Sequence, residues 1–323
     1  MNLLKHYLNE LYVNYIFKYY YILYQKPNWN FKKILIKLII ELVRLNYRKF
    51  NPSKDLFHSI QIQTQTYCNL NCQFCPNNKV EREHGVMSLE LYEKIINELS
   101  HLNYTGEIML YLQNEPLLDK RMVKLIEFAY KKCPNAMIGL YSNGTNLTNE
   151  LLCKLFDAGL TFLRINDYSM VQANKPKKIE PYTIKSKVKS LDCFFSNQKK
   201  IKIYCYFQTI TKMSNRSGLM EGVGIPTPLH LFCNRPFEQM YINFKGEALF
   251  CCNDWKFDEI MGKLNENSLV EIWTNKKYHL LRTELFRNSR IRICKDCDYT
   301  SFLFPKIVIS NLARKINPFK HFH

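Results

Sequence analysis

From residue 58 onward, short apolar runs alternate with amphipathic segments. Ile60 and Ile62 alternate with polar residues in a strand running to Thr66. Ser88 is placed to cap a helix through Leu99, with Leu91, Ile95 and Leu99 on one face. Ile108 to Leu112 reads as a second strand and Met122 to Tyr130 as a second helix. Met137 to Tyr141 follows as a third strand, then a helix capped by Thr148 and stopped by Gly159. Phe162 to Ile165 and Ile201 to Ile210 complete the series. Repeated strand–helix units predict a parallel sheet with helices outside it, open or closed into a barrel.

The pattern differs at both ends. From Lys33 to Arg44, the charges at Lys33, Lys37, Glu41 and Arg44 form one polar stripe on an otherwise apolar helix. No uncharged run approaches the ~18 residues that a membrane-spanning helix needs. The helix therefore either docks on the main domain, the favoured reading, or lies on a membrane surface. Asn51-Pro52-Ser53 breaks it. After Pro236, Met240 to Phe244, Lys245-Gly246 and Ala248 to Cys252 read as a hairpin, and Ser268 with Glu271 forms a capping box opening a helix through Trp273. The predicted division is a helical N-terminal extension at 1–54, a catalytic core at 55–225, a second module at 226–300 and a tail at 301–323.

Charge adds little. The net charge is +18, from 46 basic and 28 acidic residues, and residues 1–54 hold ten basic against two acidic positions. That suits an acidic partner or an anionic surface, but no nucleic-acid-binding motif accompanies it and no nucleic acid is expected. Cysteine changes the picture. There are 12 cysteines, and residues 1 to 24 lack the pattern of a secretory signal. The expected setting is a reducing cytoplasm, with peripheral membrane contact as the alternative for the N-terminal helix, and the expected use of the thiols is metal ligation.

Cys68-Asn-Leu-Asn-Cys72-Gln-Phe-Cys75 follows the first strand directly. Three thiolates can hold three irons of a [4Fe–4S] cluster and leave the fourth iron open. A structural zinc site would want four closed ligands. The spacing, with Phe74 before the last cysteine, resembles the signature of the radical S-adenosylmethionine (SAM) superfamily. The resemblance implies a partial (β/α)6 barrel and SAM bound at the open iron. It also carries over Glu115 of Gln113-Asn114-Glu115-Pro116, Ser142 and Asn143 before Gly144, and Asn166, all at strand ends, as SAM-approaching positions. In the family the first two positions of the Glu115 stretch are usually glycines; here they are Gln113 and Asn114.

Cys233 is followed by twelve residues, Gly246, four residues and Cys251, and later by Cys294-Lys-Asp-Cys297. This is similar to the auxiliary cluster element of SPASM and twitch domains, and no cysteine follows Cys297, which fits the shorter form with one auxiliary cluster. A four-cysteine zinc site would have the same spacing. Cys252 is an alternative ligand, although the spacing selects Cys251. Asp254 reads as a turn residue in preference to a proton acceptor.

Within the family, the spacing is most similar to the 2-deoxy-scyllo-inosamine dehydrogenase-like group. That implies two-electron oxidation of a sugar- or cyclitol-like small molecule, with SAM, two [4Fe–4S] clusters and a reductant such as flavodoxin or ferredoxin. It also carries over Arg216 as a substrate-orienting catalytic residue, held to electrostatic work because arginine stays protonated. A maturase acting on a ribosomal peptide and an electron-transfer iron–sulfur protein are the alternative readings.

Overall fold

The computed structural model describes residues 41, 44–45, 47–168, 202–207, 214–222 and 232–299. The helix expected over Leu35 to Val43 lies outside these residues apart from Glu41, and so does the tail beyond Tyr299.

One eight-stranded sheet organises the chain, in the order β5-β4-β3-β2-β1-β6-β7-β8. Its strands are β1 (Ser59–Ile62), β2 (Glu107–Met109), β3 (Met137–Ser142), β4 (Phe162–Asp167), β5 (Lys202–Phe207), β6 (Gln239–Ile242), β7 (Glu247–Leu249) and β8 (Ile260–Lys263). Pairings from β5 through β1 are parallel, and β6 also pairs parallel with β1, Ile60 opposite Met240. The sixth parallel strand is thus contributed by the C-terminal module, whose hairpin then continues antiparallel through β7 and β8. Catalytic core and C-terminal module share one sheet. β2 ends at Met109, short of the expected Leu112, because Leu112 N–H turns to the Asn114 side chain.

α1 (Leu89–His101), α2 (Met122–Lys132) and α3 (Asn149–Asp157) cover the sheet. Ser88 Oγ accepts Leu91 N–H at 3.1 Å, and Tyr92, Ile95, Ile96 and Leu99 form the buried face of α1; the cap contributes about 1 kcal/mol. Thr148 caps α3 in the same way. Gly159, at φ +107°, ends the turn after α3, and a Cβ there would meet the Tyr130 ring at 2.3 Å.

In the C-terminal module, Asn243 Oδ1 accepts Lys245 N–H and Glu247 N–H, folding the hairpin turn in which Gly246 adopts φ +80°. The capping box at Ser268 opens α5 (Leu269–Thr274) as expected. The sequence pattern did not announce β8 or α6 (Lys276–Phe286), whose hydrophobic face is weakly patterned. A short helix, α4 (Arg235–Glu238), precedes β6. Arg282, buried, donates to Pro236 O and Trp273 O and stacks on Trp273 and Tyr278.

The end of the N-terminal extension docks on this module. Arg44 donates to Phe286 O at 3.0 Å, Asn288 donates to Glu41, and Tyr47 hydrogen-bonds Glu238 while packing against Phe232 and Phe237. Among the described residues, no helix is long and apolar enough to cross a membrane.

Candidate active site

The parallel strands surround a cavity of about 550 Å³. Alternate residues of β1 to β4 line it, including Gln61, Met109, Tyr141 and Arg164, and β6 adds Gln239. Every position expected of the catalytic cluster and its cofactor lines this one space: Cys68, Cys72, Phe74, Cys75, Glu115, Ser142, Asn143, Asn166 and Arg216.

The cysteine loop is stitched to the neighbouring strand ends. Glu115 N–H donates to Tyr67 O at 2.9 Å, and Gln65 Nε2 donates to Glu115 O at 2.7 Å. Asn143 Nδ2 donates to Asn69 Oδ1, and Asn69 Nδ2 to Thr145 Oγ1. Phe74 is buried and packs on Tyr168 with ring centroids 5.0 Å apart. Burial pushes the Cys68 thiol up to about 11 and raises Cys75, so a cation-free loop favours neutral thiols. Iron binding reverses that preference, since the ligands are thiolates. Three thiols on one loop of a roomy cavity fit a cluster with an open iron.

Glu115 is 2% exposed, and its carboxylate accepts from Ser142 Oγ–H at 2.7 Å, Asn143 N–H at 2.7 Å and Leu117 N–H at 3.0 Å. Burial raises this carboxyl, and the three hydrogen bonds oppose the shift. Ser142 also accepts Gly144 N–H, and Asn143 Oδ1 accepts from Thr145. Glu115, Ser142 and Asn143 therefore form one node that fixes the cavity mouth. Asn166 Oδ1 accepts from Arg164, whose guanidinium lies over Tyr141.

Arg216 sits in a loop where Arg216, Ser217 and Gly218 all have positive φ, at 50°, 59° and 83°. Two consecutive non-glycine residues in that region are costly unless neighbours impose it. The restraint comes from the second cysteine pair: Asn215 N–H donates to Asp298, Asn215 Nδ2 to Asp296 O, and Asp298 N–H to Asn215 Oδ1.

Cys233, Cys251, Cys294 and Cys297 lie off the cavity as a group of electrostatic neighbours, flanked by Arg290 and Arg235. Cys297 N–H closes on Cys294 O at 3.2 Å. Burial pushes the Cys294 thiol up to about 12. Cys252, by contrast, lines the cavity. Asp254 is a turn residue: its carboxylate, pushed up to about 6 by burial, accepts Asp258 N–H and Glu259 N–H.

Sequence reasoning missed Arg82 and Gln113. Arg82 donates to Gln113 Oε1 at 2.8 Å, Gln113 O at 2.7 Å and Asn77, and lies over the Trp255 ring. Gln113 Nε2 donates onward to Cys252 O at 2.9 Å and Asp254 O at 3.0 Å. The pair ties the first cysteine loop to the loop after Cys251. Its signal was the replacement of glycine by Gln113.

Residues 62–168 match the radical SAM superfamily, and residues 233–298 match the SPASM iron–sulfur cluster-binding domain. The S-adenosyl-L-methionine-dependent 2-deoxy-scyllo-inosamine dehydrogenase of Niallia circulans is 25% identical over 249 residues, 76% of this chain and 94% of its own. The tungsten-containing aldehyde ferredoxin oxidoreductase cofactor-modifying protein of Pyrococcus furiosus is 27% identical over 101 residues, 31% of this chain and 28% of its own. The crystal structure of BtrN in complex with AdoMet and 2-DOIA superposes with a TM-score of 0.66 at 25% identity, covering 78% of this chain and 96% of that one. The two matched domains, within a fold shared with an AdoMet-bound structure, make the chain a radical SAM protein with a SPASM iron–sulfur cluster-binding domain.

Proposed function

We propose that the chain oxidises a sugar- or cyclitol-like small molecule by two electrons, with Cys68, Cys72 and Cys75 holding the SAM-cleaving [4Fe–4S] cluster and Cys233, Cys251, Cys294 and Cys297 an auxiliary one. When bound, the first cluster and SAM supply a 5′-deoxyadenosyl radical that takes a hydrogen atom from substrate, and the auxiliary cluster supplies an acceptor for the second electron. The observation that carries this reading is the single cavity on which the first cysteine loop, the Glu115 node and Arg216 all open.

The chain's own residues then have separate tasks. Glu115, Ser142 and Asn143 hold the mouth in one shape, and Asn166 extends that wall. Arg216 faces both Cys75 and Cys252, so its guanidinium is placed to orient substrate and stabilise negative charge developing on an oxygen as a proton leaves. A ferredoxin or flavodoxin is the proposed source of the reducing electron.

The test incubates dithionite-reduced, iron-reconstituted protein with SAM and deuterated cyclitols. Formation of 5′-deoxyadenosine carrying substrate deuterium is expected. No 5′-deoxyadenosine under any condition would leave an electron-transfer protein as the better reading.

A further inference from the structure

Arg82 grips the first cysteine loop from both ends. Its Nη2 donates to Thr66 O, two residues before Cys68, at 3.4 Å, and to Asn77 Oδ1, two residues after Cys75. Nη1 donates to Gln113 Oε1 and Nη2 also to Gln113 O, and the guanidinium lies over Trp255, 5.3 Å from the ring centroid. Asn77, Gln113 and Trp255 line the cavity and Arg82 does not, so its charge stands behind the wall, next to the loop.

All four acceptors are neutral. Arg44, Arg121 and Arg292 each meet a carboxylate, at 2.6, 2.8 and 2.9 Å, whereas Arg82 forms no ion pair among the described residues. Arg282 also has no carboxylate, but three rings enclose its cation: Trp273 at 3.9 Å, Tyr278 at 4.2 Å and Phe50 at 5.3 Å. Arg82 has one ring and two sulfurs. Burial opposes its charge, and thiolate at Cys75 or Cys68 favours it. A half-buried cation bonded only to neutral groups is short of a counter-charge, and the cysteine loop is where one would form.

We propose that Arg82 is the fixed counter-charge of the SAM-cleaving cluster, raising the potential at which that cluster accepts its electron. This rests on the reading that Cys68, Cys72 and Cys75 hold the cluster. A [4Fe–4S] group held by three thiolates is an anion, and an added electron deepens its negative charge. A cation beside it stabilises the reduced form more than the oxidised one. Arginine suits the task because it stays protonated, and its fork is held here by four acceptors rather than left on a flexible stem.

The experiment is a potentiometric titration of anaerobically reconstituted holoprotein without SAM, following the EPR signal of reduced cluster. The part of the signal that SAM addition alters identifies the first cluster. A unit charge about 10 Å away, at an effective dielectric near 20, changes a one-electron equilibrium by roughly tenfold. Arg82→Met should therefore lower the midpoint by about 59 mV, the tenfold change for one electron. Arg82→Lys, which keeps the charge, should restore most of the shift. Gln113→Leu opens the joint but leaves Arg82 its bonds to Gln113 O, Asn77 and Thr66, and should shift the midpoint far less than Arg82→Met. An unaltered midpoint in Arg82→Met overturns the proposal. Equal shifts in Arg82→Met and Arg82→Lys, or in Arg82→Met and Gln113→Leu, leave Arg82 a brace alone and overturn it too. If Arg82→Met loses the first cluster, iron content decides: iron kept by Arg82→Lys supports the counter-charge, and iron lost equally from both overturns it. No SAM-responsive signal in the unsubstituted protein would refute the cluster reading and the proposal with it, whereas the other adverse outcomes refute the Arg82 assignment alone.

Discussion

Replacing Gln113 should loosen the joint between the two cysteine loops, and its partner Arg82 makes the effect measurable. Gln113→Leu removes two hydrogen bonds to Cys252 O and Asp254 O, worth about 1 kcal/mol each, and strands Arg82 Nη1. The lost charge-assisted bond adds about 1.5–3 kcal/mol, for a total near 4 kcal/mol. Arg82→Met keeps an apolar stem under the Trp255 ring but removes the donors to Gln113 and Asn77. Since both single variants lose the same Nη1–Oε1 bond, the double variant should be less damaged than the sum by about 1.5–3 kcal/mol. The assay is urea unfolding of the anaerobic holoprotein, compared at the midpoint. In parallel, product should fall further than 5′-deoxyadenosine in Gln113→Leu, because the loop bearing Cys252 to Trp255 is released while the first cysteine loop keeps its anchors to Glu115 and Asn143. Additivity within about 0.5 kcal/mol would show that Arg82 and Gln113 act independently and would refute the bridge.

Two [4Fe–4S] clusters require about eight irons per chain, so replacing Cys68, Cys72 and Cys75 together with Ala should leave about half the iron and no SAM cleavage; zinc in the remaining site would refute the auxiliary cluster. Arg216→Lys should retain iron and 5′-deoxyadenosine formation but lose most product, and unchanged turnover would remove Arg216 from the site. Burial raises Glu115 above the ordinary 4.5, so the folded chain holds that proton more readily than the unfolded chain. Its contribution to stability is therefore greatest at low pH, falls as pH rises through that range and levels off above the raised value. Glu115→Gln should flatten that slope in urea midpoints measured against pH, and an unaltered slope would refute the assignment. Starting the chain at Asn51 removes Tyr47 and Phe50 from the aromatic cluster with Phe237 and should leave a poorly soluble protein, checked by soluble yield and sedimentation.

What the sequence disclosed depended on whether a contact had a local signal. Caps at Ser88, Thr148 and Ser268 and the strands on either side of Gly246 are written in neighbouring residues, and they stand where the pattern put them. The three-cysteine loop is equally local. β8 and α6 were invisible, because Ile260–Lys263 is four residues long and α6 is only weakly amphipathic, its burial coming from Tyr278, Leu281, Arg282 and Leu285 against distant partners. Glu115, Ser142 and Asn143 were legible as positions, but their mutual hydrogen bonding was not, since it joins two strands across 27 residues. A half-buried Arg82–Gln113 contact at a separation of 31 leaves no periodicity at all.

Those unseen contacts explain how one sheet can carry two cysteine sites. A hairpin that merely followed the core would be free to shift against it; here β6 pairs along the whole of β1, so the second module is in register with the strand that launches the first cysteine loop. Register alone fixes the sheet, not the loops at its edge. Gln113, in place of a glycine, supplies a side chain long enough to reach Cys252 O and Asp254 O, and Arg82 holds that side chain in place. On the other side, Asn215 fastens the Arg216 loop to Asp296 and Asp298, immediately around Cys297. The cavity is therefore clamped to the second cysteine group at two points, Cys252 and Arg216. An oxidation that removes a hydrogen atom and then an electron needs substrate held between two centres at fixed separation. In the proposed reaction, these clamps would meet that need.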